Sequence, residues 1–159
     1  MQTILISASK QSLQLQENNQ RIKEYSISTS KYGLGEDSGS YQTPRGQHIV
    51  RAMIGKGLPL NAVFVGRRYT GEIYTAELSE EFPSRDWVLT RIIWLSGCEK
   101  GKNRLGQRDS MRRYIYIHGT PDSEPMGVPA SHGCIRMRNV EVIDLYNRIS
   151  HGCAVIISD

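Results

Sequence analysis

The sequence predicts a mainly β fold of the α+β class, with one helix. Three observations predict it. Short stretches of alternating apolar and polar residues recur along the chain, which is the period of a half-buried strand. Residues 86–95 form a nearly continuous apolar and aromatic run of high β propensity. A helical period is clear only at 140–150, where Val142, Leu145, Tyr146 and Ile149 follow the i, i+3, i+4, i+7 rule.

Taken in order, residues 3–8 and 12–17 read as strands joined by a turn near Ser9 and Lys10. Asn18 and Asn19 turn the chain into a third strand at 21–29, so it begins as an antiparallel meander. Residues 30–46 are rich in Ser, Gly, Asp and Tyr and read as a loop. Thr43-Pro44-Arg45-Gly46 is a turn within it, because proline pre-sets φ. Gly33-Leu34-Gly35 is too short a signal for a phosphate loop. Strands follow at 47–54 and 62–66; His48, without a partner at useful spacing, reads as structural or surface. Residues 67–85 are polar and read as an irregular surface insertion, a lid over a cleft being the functional alternative. Residues 86–95 are a central strand, with Trp94 in the core or lining a pocket. A glycine-containing basic loop with Lys100, Lys102, Arg104 and Arg108 spans 96–111. A strand over 112–117 ends at His118, and 119–131 is a loop. Asn139 reads as a helix N-cap, Gly152 as the helix stop, and 154–158 as a buried closing strand.

A chain of 159 residues fits a single domain over 1–159 with a sizeable core. Its net charge of +4 is mildly basic and compatible with an anionic substrate. Nucleic acid is not an expected partner, since there is no compact basic helix, zinc-finger spacing or RNP-type motif. No run of about 18 apolar residues exists to span a membrane. The N-terminus lacks the charged and apolar regions of a signal peptide. With Met1 as the native start, a cytoplasmic location is expected; otherwise an exported or periplasmic one. Three cysteines, Cys98, Cys134 and Cys153, are too few and odd in number for a disulfide framework.

The tetrapeptide Ser-His-Gly-Cys occurs twice, at 131–134 and 150–153. The second copy sits between the helix and the closing strand, so Cys153 reads as a small buried apolar residue. Cys98, after a strand, reads as structural too. The first copy lies in a glycine- and proline-rich loop, followed by Ile135-Arg136-Met137-Arg138. Two cations close to a thiol favour the thiolate. Backbone N–H groups around Gly133 and Cys134 can face a developing oxyanion. His118, 16 residues upstream of Cys134, becomes a candidate base if the intervening loop folds back. The carbonyl of Gly119 is one group able to hold its second ring nitrogen. The competing reading is a zinc site from His118, His132 and Cys134 with His151 or Cys153, although its ligand spacing is unusual.

His118-Gly119-Thr120 followed by Ser131-His132-Gly133-Cys134-Ile135-Arg136-Met137 resembles the YkuD-type L,D-transpeptidase family of bacterial cell-wall enzymes. Thr43-Pro44-Arg45-Gly46 and the closing helix and strand are similar to that family too. The resemblance implies a mixed-sheet, β-sandwich-like catalytic domain with no metal and no organic cofactor. It makes Cys134 the nucleophile, His118 the base and the Gly119 carbonyl the group orienting the ring. His132 and Gly133 would shape the turn and, with Cys134, provide oxyanion donors. Arg136, Ser131 and Trp94 are the candidates for contact with substrate. The implied substrate is a peptidoglycan tetrapeptide or muropeptide that loses its terminal D-alanine through a thioester, with carbapenems as covalent inhibitors. With a cytoplasmic location, water is the expected acceptor. The expectation is then an L,D-carboxypeptidase of murein recycling, most like the family's small cytoplasmic members. An amine acceptor gives 3-3 crosslinks or D-amino-acid exchange, and a non-catalytic muropeptide-binding module is the third reading.

Overall fold

The first three strands form the antiparallel meander that their alternation predicts: β1 (Gln2–Ser7), β2 (Ser12–Glu17) and β3 (Gln20–Ser26). The description rests on a computed structural model that covers residues 1–159. Five further strands, β4 (Gly46–Ile54), β5 (Ala62–Val65), β6 (Arg68–Ile73), β7 (Val88–Gly97) and β10 (Ala154–Ser158), extend the sheet in the order β3-β2-β1-β10-β4-β7-β5-β6. Two short strands, β8 (Tyr116–Gly119) and β9 (Ile135–Met137), continue it from β7. Pairing is parallel for β1 with β10 and for β8 with β9, and antiparallel elsewhere, so the sheet is mixed.

The main helix, α2 (Asn139–Arg148), packs on β7 and β8. Val142, Leu145, Tyr146 and the following Ile149 are buried, as their period requires. Burying each such side chain stabilises the fold by about 1.5–3 kcal/mol. Leu145→Ala is therefore expected to cost about 2–5 kcal/mol. Gly152 ends the connection to β10 at φ +85°, a conformation that glycine adopts without strain.

Three local expectations are corrected. Residues 67–85 are not irregular: they hold β6 and a short helix α1 (Ala76–Glu81), capped by Thr75 accepting from the Leu78 amide at 3.1 Å. The strand expected at 112–117 begins only at Tyr116, because Arg112 to Tyr114 form a turn with Tyr114 at φ +57°. Asn139 is not an N-cap. Arg138 holds that place without a side-chain bond, and Asn139 turns into the interior.

There Asn139 builds a buried polar network behind the end of β8. Its amide donates to Asn61 Oδ1 at 3.0 Å and to the Thr120 carbonyl at 2.9 Å, and accepts from the Thr90 hydroxyl at 2.7 Å. Thr90 also accepts from the Asn61 amide at 3.0 Å. Thr90 stands at φ +74° in β7, where its register with β8 shifts. A β-branched residue rarely adopts that conformation, and it persists where surrounding contacts enforce it. Buried hydrogen bonds in a closed network outweigh one at a helix end. The network also explains Gly119. A Cβ there would stand 2.3 Å from Asn139 Oδ1 and 2.6 Å from the Leu89 carbonyl.

Candidate active site

The pairing of β8 with β9 assembles the site. Ile117 lies opposite Ile135, His118 opposite Arg136 and Gly119 opposite Met137. One residue further back, Cys134 stands beside Tyr116, whose amide donates to the Cys134 sulfur at 3.4 Å. Side chains alternate along a strand, so Tyr116 and His118 share a face. The thiol and the imidazole therefore come from neighbouring segments of one sheet, despite their separation in sequence.

His118 is buried, and its Nδ1 lies 2.6 Å from the Gly119 carbonyl. A carbonyl only accepts, so Nδ1 carries the proton and Nε2 keeps its lone pair. Burial lowers the pKa of His118 below the usual imidazole value; the Gly119 carbonyl and Asp86 oppose this and Arg136 adds to it. Cys134 keeps some surface exposure and lines a cavity, and partial burial pushes the thiol up to about 12. The Tyr116 amide and the guanidinium groups of Arg136 and Arg113 pull it down, while Asp86 pushes it up. Both shifts favour a neutral thiol beside a neutral imidazole at rest. In this state the thiol donates to the Tyr114 carbonyl at 3.3 Å rather than to His118. Engagement of a neighbouring base by such a thiol often waits for the arrival of substrate.

The turn before Cys134 is held from within. The Ser131 hydroxyl donates to the Cys134 carbonyl at 2.6 Å and accepts from the Gly133 amide at 3.3 Å. Gly133 adopts φ +127°, and its carbonyl accepts from Thr43 at 2.9 Å, which ties the Thr-Pro-Arg-Gly turn to the site. These bonds correct two expectations. Ser131 is buried and its hydroxyl serves the turn, not a substrate. The Gly133 amide is engaged as well, so the amides of His132 and Cys134, which bond to no backbone acceptor, are the donors left for an oxyanion.

Two cavities meet at this turn. One of about 300 Å³ is lined by Tyr41, Arg113, Tyr114, His132 and Cys134. The other, of about 240 Å³, is lined by Asp86, Thr120, Glu124, His132 and Arg136. His132 is exposed and borders both. A larger cavity, of about 460 Å³ near Gln11, Thr29 and Lys31, holds neither a thiol nor a histidine.

Comparison with known proteins gives the family and the fold. The YkuD family, described as the L,D-transpeptidase catalytic domain, matches residues 1–157. The chain belongs to that family. A curated Bacillus subtilis (strain 168) relative, YqjB, is 49% identical over 47 residues, 30% of this chain and 27% of that protein. L,D-transpeptidase 3 from Mycobacterium tuberculosis shares the fold at TM-score 0.61 and 15% identity, over 99% of this chain and 61% of that one. The same enzyme has been solved with a faropenem-derived adduct. An L,D-transpeptidase from Xylanimonas cellulosilytica aligns at TM-score 0.55 and 19% identity, over 99% of this chain and 60% of that one. The chain thus spans about a quarter of the curated relative and about 60% of these solved chains.

Within this YkuD domain the remaining candidates are placed as follows. Arg136 is buried; it pairs with Asp86 at 3.2 Å and Glu124 at 3.5 Å, and donates to the Ala130 carbonyl at 3.2 Å. Arg138 turns away to the carbonyls of Asp122 and Glu124, so the second cation acting on the thiol is Arg113. Trp94 is half-buried, donates to the Met111 carbonyl at 3.1 Å and meets Tyr116 edge-on at 5.8 Å. The zinc-ligand candidates His118, His132, Cys134, His151 and Cys153 and their neighbours form no cluster of three His, Cys, Asp or Glu side chains able to hold a metal. Of the other two thiols, Cys153 is buried, whereas Cys98 is exposed, contrary to its structural reading. His48 is buried, with Nε2 2.8 Å from the Ser110 hydroxyl and Nδ1 3.1 Å from the Gly46 carbonyl. Asp86, Arg113 and Tyr114 are site-lining residues that no sequence spacing signalled, and Arg67 stands behind them against Tyr114 and Tyr116. No helix is long and apolar enough to cross a membrane.

Proposed function

We propose that this YkuD domain is a cysteine-dependent L,D-carboxypeptidase that removes the terminal D-alanine from peptidoglycan-derived tetrapeptides. The observation that carries the reading is the His118 ring held on the Gly119 carbonyl, one strand away from the Cys134 thiol in a cleft. In the first step Nε2 of His118 takes the thiol proton as sulfur bonds to the carbonyl carbon of the L-centre. The amides of Cys134 and His132 receive the oxyanion. The C–N bond then breaks, and the imidazolium returns its proton to the departing D-alanine amine. A thioester remains on Cys134. Water, losing a proton to His118, attacks that thioester, and the C–S bond breaks to release the acid and restore the thiol. The chemistry draws on no metal or organic cofactor. Arg136, braced by two carboxylates, lines the adjoining cavity, and Trp94 supports the cleft from behind through Tyr114 and Tyr116.

A second reading uses an amine as acceptor, giving crosslinks or D-amino-acid exchange. The second cavity favours it, since it meets the first at His132 and carries Asp86 and Glu124, which suit an ammonium group. Carbapenem acylation of Cys134 belongs to either reading, and the faropenem adduct of a protein of similar fold supports it. A cytoplasmic location is part of the proposal; the exposed free thiol of Cys98 supports a reducing compartment. Fractionation of native host cells tests it. The enzyme itself is tested by incubating it with muropeptide tetrapeptide, alone and with D-amino acids or a second muropeptide, and weighing the products. Release of D-alanine with a tripeptide product is expected. Dominant exchanged or dimeric product would move the assignment to the transpeptidase, and binding without turnover would favour the non-catalytic module.

A further inference from the structure

Three guanidinium groups stand around the Cys134 site, and they differ in what already occupies them. Arg136 faces Asp86 and Glu124. Arg113 makes four hydrogen bonds to neutral acceptors: the carbonyls of Gly35, Glu36 and Gln42 and the Ser40 hydroxyl. Arg67 is far less occupied than either. It sits at the turn between β5 and β6 and makes one hydrogen bond, to the Tyr116 hydroxyl at 3.2 Å. No carboxylate pairs with it, and most of its N–H groups face no protein acceptor.

Arg67 is nevertheless held in place. Its guanidinium lies 5.0 Å from the Trp94 ring centre and 4.7 Å from that of Tyr114. Two aromatic rings restrain the cation without using its donors, so little freedom remains to be lost when an anion binds. The planar fork of arginine matches a carboxylate with two parallel hydrogen bonds. The place is specific too. Tyr114 lines the cavity that holds Cys134, and Tyr116 bonds the sulfur through its amide. The open fork thus stands one tyrosine side chain from the reacting atom.

We propose that Arg67 binds a carboxylate of the acyl donor and sets the preference of the site for anionic peptides. This rests on the reading of the domain as an enzyme of peptidoglycan stem peptides. Next to the bond that breaks, such a peptide offers two sources of the group: the terminal D-alanine and the side-chain end of meso-diaminopimelate, the diamino acid that carries the acyl carbonyl. Three ligands separate them: the tetrapeptide, its C-terminal carboxamide, and the tetrapeptide amidated on the diamino-acid side chain. Binding is measured by calorimetry on a Cys134→Ser background, with Arg67 retained or replaced by Gln or Lys, and melting temperatures check the fold of each variant.

With Arg67 present, one of the two amidated peptides binds roughly 10- to 100-fold more weakly than the tetrapeptide, the range of a charge-assisted pair. Arg67→Gln abolishes that preference and leaves the Kd of the discriminated amide unchanged. Arg67→Lys, which keeps the charge without the fork, restores part of it. Equal weakening of all three peptides by Arg67→Gln would overturn the proposal and leave Arg67 as a latch on the aromatic pair. Absence of any preference with Arg67 present would overturn it as well. Turnover of tetrapeptide by the protein with Cys134 intact reports on the enzyme reading separately. Turnover without an Arg67-dependent preference sinks this proposal alone. A preference without turnover sinks the carboxypeptidase alone, and failure to bind any of the peptides sinks both.

Discussion

The chain carries the same four residues twice, and the two copies have different fates. In the first, Gly133 at φ +127° delivers Cys134 to a cavity beside the His118 strand, with Arg113 and Arg136 acting on the sulfur. In the second, Gly152 ends a helical connection and Cys153 points into the core, its thiol near the carbonyls of Gln2 and Ala154. Burial pushes Cys153 up to about 11, and no cation pulls it back. His132 borders two cavities next to the thiol, whereas the exposed His151 borders a separate one with Tyr146 and Met53. The comparison teaches that Ser-His-Gly-Cys has no chemistry of its own. His118, Arg113, Arg136 and most of the cavity lining come from residues outside the tetrapeptide.

The sharpest way to break this contrast is to remove each thiol. Cys134→Ala is expected to abolish the covalent adduct seen by intact-protein mass spectrometry and to lower tetrapeptide turnover at least ~10⁴-fold. Cys153→Ala should keep turnover within about twofold and lower stability by about 1 kcal/mol in a thermal melt. An adduct on Cys153 would reverse the assignment. The histidines come next. His118→Gln should reduce kcat by about 10²- to 10⁴-fold, the usual contribution of a general base. His151→Gln should leave kcat unchanged, and parity between the two variants would refute the pairing of His118 with Cys134.

Glycine substitutions sharpen the contrast at smaller effect. Gly119→Ala drives a Cβ into Asn139 and the Leu89 carbonyl, so it should cost about 1–3 kcal/mol and also depress kcat. Gly152→Ala meets nothing within 4 Å and bears only the strain of its positive φ. It should cost about 1 kcal/mol in denaturant and leave kcat intact.

The smallest effects are those of pH. If the resting pair is neutral, alkylation of Cys134 by iodoacetamide should rise as pH climbs through the depressed pKa of His118, below 6.5, and then level off. Cys153 should stay slow until near pH 11. A Cys134 rate with no step below pH 6.5 would exclude His118 as its base. The same histidine affects stability. Burial depresses both His118 and His48, so below pH 6.5 the unfolded chain binds protons that the fold refuses. Their contribution is constant above 6.5 and is lost as pH falls toward the folded values, by up to about 1.4 kcal/mol per pH unit for each. Melting temperatures measured from pH 7 to pH 5 check the sign.

Much of the architecture was legible because burial leaves a period. The β1–β3 meander alternates, and α2 repeats its apolar positions every turn, so both are visible in the bare chain. β6 and α1 bury almost nothing, and an element without a buried face has no hydrophobic rhythm to read. Asn139 misled for a related reason: its type suits a helix cap, but its partners Asn61, Thr90 and Thr120 are far apart in sequence. His48 likewise had no partner by spacing and found Ser110 across 62 residues.

The sequence by itself determined the β-rich class, the single main helix, and the motif that joins His118-Gly119 to one of two cysteines. Local residue types and short spacings carry that information. Only the tertiary structure decided that the Ser131 hydroxyl and Gly133 amide serve the turn, that Arg113 rather than Arg138 acts on the thiol, and that Arg67 stands open on Trp94 and Tyr114. Those outcomes depend on which donors are already taken when distant strands meet, and no linear spacing records that.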